Sequence, residues 1–312
     1  MIPIDRLPGE SLLSIFDYYV SFYAEEDHPT KRGTEKWQTL VHVCRRWRSI
    51  VFGSPLRLNL RLYCHSTTPA KDTLDVWPAL PIIIEGGEIS GTATPDTNSI
   101  IAALSHNDRV CRIELREISS SQLKDFLPVM LVSFRELTVL RFGAYEFGEA
   151  LSVPDSFLGG SAPRLRTLEL DSVSFPGLPK LLLSTTHLVH LHLSGIFPSD
   201  LSPEEMVTCL SKLTNLKALS LQCSRHFHHF LPPIQSSRPE KRSTIPALTS
   251  FIFRGLSEYL EDLVARIDTP QLNELSIHFL NKVDAPQLAQ FIGRTPTLET
   301  SRVKHPFKRC QR

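Results

Sequence analysis

The chain has 312 residues, with 34 lysines and arginines against 33 aspartates and glutamates, 41% apolar residues and 21% charged ones. That balance excludes a disordered chain, and it leaves no global field to gather nucleic acid or an anionic membrane. The length points to two domains or to one elongated repeat array.

The six cysteines, Cys44, Cys64, Cys111, Cys209, Cys223 and Cys310, stand apart with no close pairs. This suits neither a disulfide framework nor a zinc knuckle and favours reduced thiols. Met1 to Arg6 lead into no long apolar run, and the longest apolar stretches, such as Ala79 to Ile84, fall far short of the roughly 20 residues that cross a bilayer. A cytoplasmic or nuclear protein, without a signal peptide or membrane segment, is expected.

From Leu7 the chain reads LPGESLLSIFDYYV. Pro8 stands where a helix can start and Glu10 in the first turn, where a carboxylate favours the helix dipole. Leu12, Phe16 and Tyr19, backed by Leu13, Ile15 and Val20, give a short helix its apolar face. The polar stretch Glu25 to Glu35, with Pro29 and Gly33, reads as a loop. Trp37, Leu40, Cys44, Trp47 and Val51 then recur at spacings of three and four, which predicts one second helix with these residues on a single stripe. Gln38, His42, Arg45, Arg46 and Ser49 fall opposite. Phe52-Gly53-Ser54-Pro55 ends it, glycine allowing a left-handed cap and proline stopping the helix.

LPGESLLSIF followed by WQTLVHVCRRWRSIVFGSP resembles an F-box, whose hallmarks are an LP-x-E-x-LL-x-IF opening and a V-C-x-x-W core. The resemblance implies that this helical hairpin docks on a Skp-type adaptor and, through it, on a cullin ubiquitin ligase. It implies adaptor contacts from Leu7, Pro8, Glu10, Leu12, Leu13, Ile15 and Phe16, and a second-helix share of core and interface from Leu40, Val43, Cys44, Trp47 and Val51. The spacer Ser21 to Lys36 is longer and more charged than in a compact F-box. A plain helical cap on whatever follows is the alternative.

Leu58 to Tyr63 and Leu80 to Ile84 read as two entry strands with Thr68 to Trp77 looping between them. Downstream, an L-x-x-L-x-L pattern recurs, with apolar substitutions, from Val110, Leu137, Leu165, Leu188, Leu216, Leu248 and Leu272, at intervals of 27, 28, 23, 28, 32 and 24 residues. The leucine-rich-repeat period is about 20 to 29 residues. A degenerate eighth copy, Leu298-Ser301-Val303, follows after 26 more. Between these strands Ser202-Pro203-Glu204-Glu205 carries an N-cap, a first-turn proline and a capping box, and Asp284-Ala285-Pro286-Gln287 repeats that logic. Asn98 to Leu104, Ser120 to Val132, Gly177 to Leu183 and Glu258 to Ile267 also read as helical. The widest interval holds Pro232-Pro233, Ser236-Ser237 and Pro239, which predicts a mobile inserted loop.

A unit of strand, turn, helix and return leaves one apolar face uncovered, so stacking of units is required. The expected fold is α/β: an N-terminal helical F-box, residues 1–55, then an irregular leucine-rich-repeat-like solenoid of parallel strands alternating with helices, residues 56–312. The asparagine that follows the strand in regular repeats is absent. The F-box together with WPALPIII, HNDRVCRIEL and SEYLEDLVARI resembles the expanded group of F-box proteins with divergent leucine-rich repeats of mushroom-forming fungi.

With the strand leucines inward, Arg112, Glu114, Arg141, Glu169, His190, His192, Ser220, Ile252, Glu274, Ser276 and Arg302 face a concave surface, the default ligand surface of such an array. Their mixed signs suit an unknown target protein rather than a polyanion. His190 and His192 share a strand face, and His226-Phe227-His228-His229 lies further on, but no four-ligand spacing accompanies them, so no metal is expected. No G-x-S-x-G elbow, Walker loop or H-E-x-x-H occurs, and Gly86-Gly87 with Gly91 lacks dinucleotide spacing. Arg45-Arg46-Arg48 reads as a solvated helix face and Lys304 to Arg312 as a frayed basic tail. No enzyme activity or cofactor is expected. The reading is a substrate receptor of an SCF-type ubiquitin ligase; the alternatives are a repeat-domain scaffold uncoupled from ubiquitination and a hydrolase with an unrecognised site.

Overall fold

In the computed structural model of the chain, residues 4–22, 36–65, 70–86, 97–144, 151–196, 201–223, 242–281 and 285–304 are described. Most of the Ser21 to Lys36 spacer, the 226–229 histidines, the 232–239 segment, Gly87, Gly91, Asp284 and the tail after Lys304 lie outside the described residues.

The chain opens with helix α1, Gly9–Phe22, whose first turn carries Glu10. Leu12, Leu13 and Phe16 are buried. The single second helix expected from the apolar stripe is two helices, α2 (Lys36–Val43) and α3 (Arg45–Gly53). Cys44 breaks them: it is extended, with φ −160° and ψ 169°, and its Sγ caps α3 by accepting from the Trp47 amide at 3.5 Å. No glycine or proline announces this break. Arg48 compensates for it by donating from Nε to the Val41 carbonyl at 3.0 Å, satisfying an acceptor that the end of α2 leaves open. Arg46 donates to the Leu7 carbonyl, so two of the three arginines expected to be solvated tie the helices together. Gly53 is not left-handed; α3 closes through Ser54, at φ −135°.

The helices join the rest through aromatic packing. Trp37, 2% exposed, donates to the Arg61 carbonyl at 3.2 Å and meets Trp77 edge-on at 5.0 Å.

Beyond Pro55 run strands β1 (Leu62–His65), β2 (Ile82–Gly86), β3 (Val110–Ile118), β4 (Val139–Ala144), β5 (Leu151–Ser152), β6 (Thr167–Asp171), β7 (Val173–Ser174), β8 (His190–Ile196), β9 (Ala218–Cys223), β10 (Ser243–Thr244), β11 (Ser250–Gly255), β12 (Ile267–Asp268), β13 (Glu274–Phe279) and β14 (Thr300–Lys304). Ten of them form one sheet in the order β1-β2-β3-β4-β6-β8-β9-β11-β13-β14. Every neighbouring pair is parallel. The chain therefore adds its main strands in sequence order and always on the same side. The short strands make two parallel pairs of their own, β5 with β7 and β10 with β12.

Helices α4 (Ala70–Val76), α5 (Thr97–Leu104), α6 (Ser120–Phe126), α7 (Leu178–Ser184), α8 (Pro203–Leu210), α9 (Ser257–Ala265) and α10 (Pro286–Gly293) lie in the connections. The stretch Thr68 to Trp77, expected to loop, contains α4, which buries Ala70 and Thr73 and turns Lys71, Asp72 and Asp75 outward. The predicted capping box of α8 is present, Ser202 with Glu205. At α10 the logic differs from the sequence expectation, because the Glu261 carboxylate of α9 accepts from the Gln287 and Leu288 amides, each at 2.8 Å. A neighbouring helix supplies the cap.

The repeat leucines explain the sheet. All seven first positions, Val110 to Leu272, are 0% exposed, and the second positions, Ile113, Leu140, Leu168, Leu191, Leu219, Phe251 and Leu275, are no more than 1% exposed. Alternation along each strand sends the second position and the apolar residue two further on to one face, where they and the first positions share a core with Leu123, Leu181, Leu210, Leu260 and Leu288 of the helices. That core is continuous from Leu12 to Phe291.

The backbone stacks the units by itself. From β4 onward the carbonyl just before each main strand accepts two consecutive amides from the start of the next: Thr138 from Arg166 and Thr167 (2.8 and 3.1 Å), Arg166 from Val189 and His190 (2.8 and 3.0 Å), and Val189 from Lys217 and Ala218 (2.8 and 3.1 Å). Lys217, Thr249 and Asn273 continue the series to Glu299 and Thr300. At one irregular step glycine is required: Gly195 has φ +69°, and a Cβ there would sit 2.8 Å from the Ser172 Cα.

A central and a terminal strand should respond differently to truncation. Leu191→Ala is expected to cost about 2–5 kcal/mol in urea unfolding. Val303→Ala, at a position already 38% exposed on the last strand, should cost less than about 1 kcal/mol.

Candidate functional site

The sheet face away from the helices carries the residues between the repeat leucines. In the strand register they line up in rows. Arg112, Val139, Thr167, His190, Ala218, Ser250, Glu274 and Thr300 form one row. The adjacent row runs Glu114, Arg141, Glu169, His192, Ser220, Ile252, Ser276 and Arg302. All eleven residues expected on one surface thus occupy two neighbouring rows. A third row, two residues further along the strands, holds Asp171, Ser194, Gln222, Arg254, His278 and Lys304. Sequence reasoning missed this row because it stopped at the motif, although the same alternation continued for two residues would have reached it.

On β3, β4 and β6 the charges neutralise one another. Arg141 donates from Nε to Glu169 Oε1 at 2.8 Å and pairs with Glu114 Oε1 at 3.2 Å. Arg112 pairs with Glu114, and Arg116 reaches Glu169 Oε2 at 2.9 Å. Burial alone would lower the Arg141 pKa, but the two carboxylates hold it above its ordinary value.

Beside this ladder lies an open hollow of about 400 Å³ reaching from Arg141 to Ile252. It exists because Ala218, Ser220 and Ser250 are small. His190, His192 and Glu169 stand on one side, Ile252 on the other. Serines, imidazoles and a carboxylate therefore share one concavity, as a hydrolase would need. Yet no described hydrogen bond joins a serine to an imidazole or an imidazole to a carboxylate: Ser250 donates to Glu274 at 3.4 Å and Ser220 accepts from Gln222 at 3.4 Å. The nucleophile–base–orienter connection that activates a hydroxyl is not formed among the described residues. Among them, too, no three His, Cys, Asp or Glu side chains gather as metal ligands, and no helix is long and apolar enough to cross a membrane.

The second candidate surface is the N-terminal helices. Leu12, Leu13, Phe16, Leu40 and Val51 are internal, and Trp47 is half-buried with its ring 4.6 Å from Phe16. These members of the expected adaptor set hold the three helices together. Pro8, Glu10, Ile15, Val43 and Cys44 are exposed, and Leu7 is partly buried. Ile15 is 46% and Val43 59% exposed; Ile4, Tyr18 and Leu56 also show large apolar surface. Cys44, placed on the core stripe by periodicity, and Val43, given a share of core and interface by the resemblance, are both exposed at the break between α2 and α3.

No protein family's sequence profile matches the chain, and no curated protein matches it.

Two measurements test this description. A double-mutant cycle between Arg141→Met and Glu169→Gln should give a coupling of about 1 kcal/mol that shrinks as salt is raised. Burial pushes the Cys64, Cys209 and Cys223 thiols up to about 11, leaving about one in a thousand ionised at pH 8. Brief iodoacetamide treatment should accordingly modify exposed Cys44 and spare those three by mass spectrometry.

Proposed function

We propose that the chain is the substrate-recognition subunit of an SCF-type ubiquitin ligase. The N-terminal helices dock on a Skp-type adaptor linked to a cullin, and the sheet, read as a leucine-rich-repeat-like solenoid, holds a target protein. In this reading the chain makes and breaks no bonds itself. Its mechanism is proximity: tethering the target raises its effective concentration at the conjugating enzyme.

The observation that carries the reading is the concentration of exposed apolar side chains at the N-terminus. Of the eleven large apolar residues with substantial exposure among the described residues, five, Ile4, Ile15, Tyr18, Val43 and Leu56, fall in the first 56 positions. Apolar side chains exposed at this density along a segment support an interaction surface there, and the segment is the one whose sequence resembles an F-box.

A second reading, a repeat-domain scaffold with a helical cap and no ligase, is favoured by the Trp37–Trp77 contact and the unbroken core. Deleting residues 1–55 does not separate the two, because it would strip cover from Leu58, Leu60 and Trp77 under either. Surface substitution does.

In a pull-down with purified Skp-type adaptor, the wild type should be retained. The Ile15→Asp plus Val43→Asp variant should lose roughly tenfold or more in affinity with an unchanged melting temperature. Undiminished adaptor recovery by the folded double variant, or no recovery of the wild type, would favour the scaffold.

A further inference from the structure

The open face treats its cations in two ways. On β3, β4 and β6, three arginines share two glutamates. On β11, β13 and β14 the same face presents Arg254, His278, Arg302 and Lys304. Among the described residues, Arg254, Arg302 and Lys304 make no ion pair, and the buried Nε of Arg254 has no acceptor. The nearest acid on the face, Glu274, lies two rows from Arg254 and Lys304 and accepts from Ser250. With strands about 4.8 Å apart, the third-row cations span about 10 Å and long side chains bring their charges closer still. One row from Arg254 on the same strand, and in the row of Arg302, is Ile252, 42% exposed, at the rim of the hollow.

We infer that this end of the face docks a carboxylate-rich segment of a protein partner. The carboxylates lie over Arg254, Arg302 and Lys304, and an adjacent apolar side chain of the same segment enters the hollow against Ile252 and Ala218. Charge complementarity selects an anion. A nucleic acid fits worse, because its evenly spaced phosphates would run on over Glu274 or the neutralised ladder and Glu169. The inference rests on the proposed function only in taking the open face as a protein-binding surface, and it is independent of adaptor docking.

Selection of random short peptides on the immobilised full chain tests it. The expected outcome is enrichment of sequences with clustered Asp and Glu beside Leu, Ile, Phe or Met. A synthetic peptide of the enriched sequence, fluorescently labelled, should bind Arg302→Ala plus Lys304→Ala at least roughly tenfold more weakly, with an unchanged melting temperature. Arg254→Ala should weaken binding as well, and Ile252→Asp should remove the apolar preference. Enrichment of neutral or basic peptides, no enrichment, acidic enrichment that survives the Arg302/Lys304 variant, or tighter binding of a single-stranded oligonucleotide than of the acidic peptide would each overturn it. Loss of adaptor binding with acidic-peptide binding intact would remove the ligase reading and leave this one standing.

Discussion

The structure depends on a backbone contact repeated from unit to unit: the carbonyl that precedes each main strand is shared by two successive amides of the next, at 2.8 to 3.1 Å, from Thr138 to Asn273. A main-chain bond would form equally well in a slipped pairing, so its regular recurrence depends on the buried leucines, which hold each strand in register. A slip of one residue would carry Leu168 or Leu191 out of the core and Glu169 or His192 into it. Because the contact uses main-chain atoms, the sequence between the leucines is free to vary.

The same constraint builds the open face. Once register is fixed, residues equivalent in the motif become neighbours about 4.8 Å apart, so chemistry scattered over almost two hundred positions of sequence is assembled into rows. Arg112, Glu114, Arg116, Arg141 and Glu169 become one ladder. Three small residues in adjacent strands become a hollow. Neither feature belongs to any one repeat.

Much of the sheet was legible because its signal is the strongest a sequence carries: buried leucines at fixed offsets, repeated seven times. The eleven face residues followed by alternation alone. What was not legible had no local signature. The break at Cys44 carries no glycine or proline; the Cys44 Sγ cap and the Arg48–Val41 bond hold it locally, and the tie from Arg46 to the Leu7 carbonyl holds it from outside. The cap of α10 comes from Glu261, 26 positions before Gln287. The loop read into Thr68 to Trp77 rested on its polar character, but Ala70, Thr73, Leu74 and Trp77 supply enough apolar contact to hold α4 against the neighbouring helix and strand. Charge balance misled in a subtler way: a total near zero concealed a face neutralised at one end and cationic at the other.

The N-terminal helices and the far end of the sheet face opposite energetic situations. α2 packs through Trp37 on Trp77, just after α4, and bonds the Arg61 carbonyl just before β1, so apolar surface at this end of the chain is spent on folding. At the other end every residue of β14 is exposed, and Arg302 and Lys304 make no ion pair among the described residues. Unpaired positive charge on an exposed edge discourages another strand from adding to it while raising the local concentration of anions. Exposed apolar side chains are therefore concentrated at the helical end, and positive charge without ion pairs among the described residues at the strand end. The two lie at opposite ends of one sheet, and the strands between them, paired in sequence order, keep them apart.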